Sequence, residues 1–197
     1  MNSATSLPAI EAIVIGASAG GVEALLNILG PLREGFVLPI IVVLHLPDER
    51  RSQLADVFAR RVAMPVLEAC DKTSVEAGTL YFAAPGYHLS VERDRSFSLS
   101  LEDRVHYSRP AIDFLFESAA DAYGAKLAAV LLTGANQDGA KGMSQVKQHG
   151  GLTIVQDPGE AQVATMPQAA LNILQPDHIL PIRGIGRLLV ELERIAC

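Results

Sequence analysis

Three polar residues close apolar runs of this chain in the same manner. Ser18 lies in the glycine turn of IVIGASAGGVEAL (13–25), His45 ends LPIIVVLHL (38–46), and Asp138 stands just past KLAAVLLTG (126–134). A serine hydroxyl alone is a weak nucleophile. An imidazole at 45 that takes its proton, and a carboxylate at 138 that holds the other ring nitrogen and stabilises the imidazolium, would make it a competent one. General-base assistance is typically worth about 10²–10⁴ in rate, so this chemistry needs all three groups within hydrogen-bond reach. The helix that follows the serine adds a second contribution. Its first N–H groups, at Ala19, Gly20 and Gly21, present a positive end to the turn and can hold an oxyanion, and the two glycines let a carbonyl approach the backbone closely. Removing one such donor usually raises a barrier by roughly 2.7–4 kcal/mol. Taken singly, Ser18 and Asp138 also read as helix N-caps, and His45 as a satisfied polar group of the core. Taken together, they point to a relay.

Residues so far apart in sequence can meet only if the strands carrying them lie side by side. From Glu11 onward the chain repeats apolar run, glycine turn and helical segment, which is the signature of a parallel sheet with crossover helices. AIVIG, LPIIVVLHL, PVLEA (65–69), TLYFAAP, KLAAVLLTG and LTIVQ read as strands. Helices are predicted for GVEALLNIL, for a stripe of Leu54, Val57, Phe58 and Val62, and from Pro110 to Gly124 with Ile112, Leu115, Phe116, Ala119 and Tyr123 on one face. Further helices are predicted between Asp138 and Gly150, from Pro167, and at the C-terminal end along Ile185, Leu188, Leu189, Leu192 and Ile195. LSVERDRSFSLSL alternates apolar and polar about an Asp/Arg turn, which predicts an antiparallel hairpin at the sheet edge. In an open parallel sheet the C-terminal strand ends line one edge, and ligands bind where the strand order reverses. Ser18, His45 and Asp138 would share that edge.

Composition narrows the classes. In 197 residues, 49% are hydrophobic, 5% are aromatic and the net charge is −6. That balance suits an aliphatic α/β core and supplies no basic field for a phosphate backbone, so nucleic acid is not an expected partner. The first cation is Arg33 and the apolar runs are shorter than a membrane span, so a cytoplasmic protein without membrane insertion is expected. Cys70 and Cys197 have no metal-ligand spacing and read as free thiols; no tight histidine pattern suggests a metal. Of the remaining histidines, His106 lies in an irregular segment, His149 near a helix end and His178 at a strand start. His88, after APGY, is the one rival base.

GASAG satisfies G-x-S-x-G, the nucleophile elbow of α/β-hydrolases. There, however, several strands precede the serine and the order is serine, acid, histidine, whereas here it is Ser18, His45, Asp138. A dinucleotide fold would want glycine at position 18 and an acid near 45, and no G-K-[ST] follows the turn. A nucleotide-binding Rossmann-like protein is therefore a poor fit, while a binding module that keeps an enzyme's fold stays open.

VIGASAGGVEAL, VVLHLP, FAAPGYHLSV, YSRPAIDFLFESAA, AVLLTGANQDGAKGM and ATMPQAAL follow one another in an order that resembles the catalytic domain of the bacterial chemotaxis protein-glutamate methylesterases, over about residues 10–195. The resemblance implies a three-layer α/β/α fold with a mainly parallel sheet, and a triad falling on Ser18, His45 and Asp138. It implies hydrolysis of glutamate γ-methyl esters on the cytoplasmic helices of methylated chemoreceptors, with glutamine deamidation, and no cofactor. The oxyanion would be held by backbone N–H groups after Ser18 and by that of Ala135. Such enzymes often carry a phospho-receiver domain. About ten residues precede the first strand here, so one catalytic domain over 1–197 is expected, with no receiver and with a separate response regulator or kinase as a further partner. Two departures are local to the site: Ala19 replaces a common threonine, and T-G-A-N-Q-D-G (133–139) stands where T-G-M-G-x-D-G is common. A catalytically impaired methylesterase-like module is the alternative. Arg109 is expected in a structural salt bridge rather than as a substrate-side or helix-anchoring cation, and Met166 and Pro167 would frame the pocket, although helix-start packing explains Pro167 equally well.

Overall fold

The computed structural model describes residues 7–46 and 53–196. Seven parallel strands form its main sheet: β1 (Ala12–Ala17), β2 (Ile40–Leu44), β3 (Val66–Glu68), β4 (Leu80–Phe82), β7 (Leu127–Leu131), β8 (Leu152–Gln156) and β9 (His178–Leu180). They lie in the order β3-β4-β2-β1-β7-β8-β9. The chain builds outward from β1 through β2 to β4 and β3, then returns to the other flank of β1 as β7. The strand order therefore reverses between β1 and β7, the place where an open sheet leaves a crevice at its C-terminal edge.

β1, β2, β7 and β8 are buried along their whole length. Side chains of a strand alternate between faces, and β1 divides accordingly. Ile13 and Ile15 join a core under α1 (Gly21–Leu29), α2 (Leu54–Ala59) and α6 (Ile182–Ala196), with Leu25, Phe58 and Leu189. Ala12 and Val14 join a second core under α3 (Ile112–Tyr123), α4 (Ala140–Gln148) and α5 (Thr165–Leu171), with Leu115, Phe116, Met143 and Met166. Burying each large aliphatic side chain is worth about 1.5–3 kcal/mol, so both faces of the sheet hold the strand ends in place. The three-layer α/β/α expectation is borne out.

Local differences have physical causes. The hairpin forms from β5 (His88–Val91) and β6 (Phe97–Ser100), but as a two-stranded sheet of its own. Its apolar side, Leu89, Val91 and Phe97, is buried in the core under α3, and the Val91 N–H donates to Ser118 Oγ at 3.0 Å. Alternation requires one dry face, which a helix provides as well as a sheet edge does. In α2, Leu54 and Phe58 are buried while Val57 faces solvent, so the stripe is narrower than expected. In α6, Ile195 is exposed and Glu193 is buried instead; its carboxylate accepts from Arg33 Nε and Nη2 and from the Val37 N–H.

Candidate active site

β1 and β2 run parallel with Ala17 opposite Leu44, and the His45 N–H donates to the Ala17 carbonyl at 3.0 Å. Ser18 and His45 thus leave neighbouring strands at the same level. The turn after β1 is closed by Gly20, whose φ of 80° is a conformation that suits glycine, and by the Gly21 N–H donating to the Ser18 carbonyl at 2.8 Å. Gly20 is the N-cap of α1 with no side-chain capping bond. The Ser18 hydroxyl is therefore not a cap, and among the described residues it has no hydrogen-bond partner in the protein.

The same turn is clamped from β7 by a residue that sequence reasoning missed. Thr133 accepts the Ser18 N–H on its carbonyl at 3.0 Å and donates from Oγ1 to the Ala19 carbonyl at 2.9 Å. That hydroxyl accepts the Val163 N–H at 2.9 Å, and the Thr133 N–H donates to Oε1 of buried Gln156 at 2.8 Å. The signal for both residues was available: each is a polar group at or just past the end of an apolar strand. Gly134 follows because space is short. A Cβ there would lie 2.5 Å from Met166 Cε and 3.0 Å from Ser18 Cβ, which places buried Met166 beside the serine.

His45 and Asp138 are joined. Nε2 donates to Oδ2 of the fully buried carboxylate at 2.8 Å. Asp138 does not cap its own helix, since Gly139 is the N-cap of α4. It caps α3 across the fold, accepting the Ile112 N–H at 2.7 Å and the Asp113 N–H at 3.0 Å. The α3 N-cap is Ala111, which has no side-chain oxygen to offer, so the carboxylate fills a chemical gap in α3 while its Oδ2 meets the imidazole. Asn136, one of the departures, accepts the Asp138 N–H on Oδ1 at 3.1 Å and closes a local turn.

With Nε2 committed to Asp138, Nδ1 is the acceptor face of the imidazole. It stands 3.4 Å from Ser108 Oγ, and among the described residues no hydrogen bond joins His45 to Ser18. The structure brings together two of the three expected groups by direct contact and sets the third on the adjacent strand end.

Of the expected oxyanion donors, the Gly21 N–H is engaged by the Ser18 carbonyl and is withdrawn. Gly21 has a packing role: a Cβ there would meet Leu44 Cδ1 at 2.6 Å and Ala17 Cβ at 2.7 Å. The N–H groups of Ala19, Gly20 and Ala135 donate to no protein acceptor among the described residues, and Ala19 and Ala135 are exposed.

His88 is not the rival base. It is fully buried on β5, its Nε2 donates to the Asp103 carbonyl at 2.9 Å, its Nδ1 accepts the Ala111 N–H at 3.2 Å, and its ring stacks on Phe114 at 3.9 Å. Both nitrogens are committed. Arg109 donates from Nη1 to the carbonyls of Leu101 and Glu102, each at 3.1 Å, which gives it a strap-closing role, and among the described residues it forms no salt bridge. A small pocket of about 150 Å³ opens between His45, Ser108, Tyr107 and Arg109, and a larger cleft of about 580 Å³ is lined by residues that include Gly20, Thr133, Gln156 and Gln162. No group of three metal-ligating side chains occurs among the described residues.

The sequence profile of the family described as CheB methylesterase matches residues 13–189. The chain belongs to the CheB methylesterase family. It is 41% identical over 184 residues to a Leptospira interrogans protein provisionally named protein-glutamate methylesterase/protein-glutamine glutaminase, covering 93% of this chain and 95% of that one. The Thermotoga maritima protein of that name is 36% identical over 183 residues, and the Clostridium acetobutylicum one 32% over 189; the chain spans 53% and 55% of their lengths. The crystal structure of the Thermotoga maritima CheB methylesterase catalytic domain superposes with a TM-score of 0.89 at 34% identity, covering 94% of this chain and 100% of that one. Fold and family agree, and both the hydrolase-elbow and dinucleotide readings give way to a CheB catalytic domain.

Proposed function

We propose that the chain hydrolyses glutamate γ-methyl esters on chemoreceptor proteins, and deamidates glutamine side chains by the same route, with Ser18 as nucleophile, His45 as general base and Asp138 as the carboxylate that orients it. The observation that carries this reading is the 2.8 Å bond from His45 Nε2 to buried Asp138, formed at the strand end next to the one that leads into Ser18, whose hydroxyl has no hydrogen-bond partner among the described residues. Ser18 Oγ attacks the ester carbonyl carbon and its proton passes to His45 Nδ1, while Asp138 stabilises the imidazolium at Nε2. The N–H groups of Ala19, Gly20 and Ala135 are the donors free to meet the oxyanion. Collapse of the tetrahedral intermediate expels methanol, protonated by His45, or ammonia in the amide reaction. Water, deprotonated by His45, then attacks the acyl-enzyme and releases glutamate and Ser18. For the first step the serine hydroxyl must reach Nδ1 and displace Ser108 from its place 3.4 Å away; catalytic bonds often tighten only when substrate is bound.

That same contact favours a second reading, a catalytically impaired member of the family that binds methylated helices without turnover. Methanol release from a methylated receptor separates the two. The wild type should release methanol and Ser18→Ala should lose at least about a thousandfold in rate; equal turnover in both would remove Ser18 as nucleophile, and none in either would favour the binding module. The reading takes residues 1–197 as one catalytic domain, places the chain in the cytoplasm and allows a response regulator or kinase as a separate partner. No helix among the described residues is long and apolar enough to cross a membrane.

A further inference from the structure

Behind the His45–Asp138 pair lies a second buried carboxylate, Asp113, only 5% exposed in the first turn of α3. Its Oδ1 accepts the Gly139 N–H at 3.0 Å and the Gly142 N–H at 2.7 Å. The two helices therefore exchange caps: Asp138, just before α4, receives the first N–H groups of α3, and Asp113, in α3, receives the first N–H groups of α4. Neither helix has a capping side chain of its own. There is no slack in the join, because a Cβ on Gly142 would lie 3.2 Å from Asp113 Oδ1 and 2.6 Å from Phe116 Cβ.

We propose that Asp113 is a positioning residue of the site: by holding the N–H groups of Gly139 and Gly142 it fixes the start of α4, and with it the Asp138 carboxylate under His45 Nε2. The proposal rests on the reading of His45 and Asp138 as base and orienting carboxylate. Swinging Asp138 away from the ring would also uncap α3, and Asp113 is the group that keeps its segment from moving. Asp113 is also a source of negative potential. The charged groups acting on it are Asp138, beyond which lies His45, Glu117, and Lys141, which is paired with Glu117 at 3.0 Å. Burial first and the charge of Asp138 second push its carboxyl up to about 6, so its charge changes in the range where an imidazole titrates.

Two substitutions separate geometry from charge. Asp113→Ala removes the acceptor, and kcat should fall at least tenfold with KM changing less than threefold. The low-field proton resonance of the His45 Nε2–H···Asp138 bond should broaden or be lost, a readout that does not depend on turnover. Asp113→Asn keeps Oδ1 for both N–H groups, so kcat should stay within about fivefold of wild type and the resonance should persist. A folded Asp113→Ala protein with unchanged kcat and an unchanged resonance would overturn the proposal. If the alanine variant does not fold, Asp113→Ser decides, because its shorter side chain cannot accept from both Gly139 and Gly142: an unchanged kcat and resonance overturn the proposal, and a fall in kcat with a broadened resonance supports it. Loss of the esterase reading itself would show separately, as wild-type turnover in Ser18→Ala.

Discussion

At the scale of single residues, the site is decided by which hydrogen-bonding groups are already committed. His88 and His45 are both histidines on or beside apolar strands, yet the first has a partner on each nitrogen and the second keeps Nδ1 for Ser108 or a substrate-side hydroxyl. The Asp113 carboxyl, raised from 3.8 to about 6, makes folding itself pH-dependent. The folded protein holds this proton more tightly than the unfolded chain. The stability it contributes is therefore fully present below about pH 3.8 and is lost as pH rises through about 6. Asp113→Asn, neutral throughout, lacks this slope. In denaturant titrations across that range, the stability of the wild type measured relative to Asp113→Asn should decline as pH rises and then level off; a difference independent of pH would show that Asp113 does not titrate there.

At the scale of elements, the α3 and α4 starts are coupled and each depends on the other's carboxylate. Asp138→Ala should thus do more than disable His45. It leaves two N–H groups of α3 without acceptors, a loss of about 0.5–2 kcal/mol by comparison with ordinary cap removals and more because the site is buried. Asp138→Asn retains an acceptor oxygen and should recover much of that stability while leaving activity low, since an amide neither holds the imidazole in the productive tautomer nor stabilises its cation. Thermal melts of the two variants alongside methanol-release rates test this, and equal melting temperatures would argue against the capping role. Thr133 and Gln156 do the corresponding work for the serine turn, tying β1, β7 and β8 together at their C-terminal ends.

At the scale of the whole molecule, two aliphatic layers hold the sheet edge on which the site is built, and an ion pair buried on its Glu193 side ties α6 to the segment after α1. The Glu193 side chain is 2% exposed while Arg33 is 61% exposed. Removing Arg33 leaves a buried charge with only the Val37 N–H, whereas Glu193→Gln removes the charge and keeps an acceptor. Arg33→Ala should therefore be the more damaging, by about 1–3 kcal/mol, and Glu193→Gln the milder. Chemical denaturation gives the order, and the reverse order would show that the pair does not hold α6 through the buried charge.

What the sequence determined alone was the local part of this protein. Apolar runs, their period and the glycine and proline punctuation marked the main strands and helices, because each element is written within a dozen consecutive residues. The three polar strand ends were legible for the same reason. The tertiary structure decided everything that joins distant segments: the exchange of caps between Asp113 and Asp138, the Gln156–Thr133–Ala19 chain, the pairing of Arg33 with Glu193, and the placing of the hairpin on α3. It also decided that His45 Nδ1 faces Ser108. These contacts cross tens to more than a hundred residues, and no periodic pattern records which buried carboxylate will receive which helix's N–H groups.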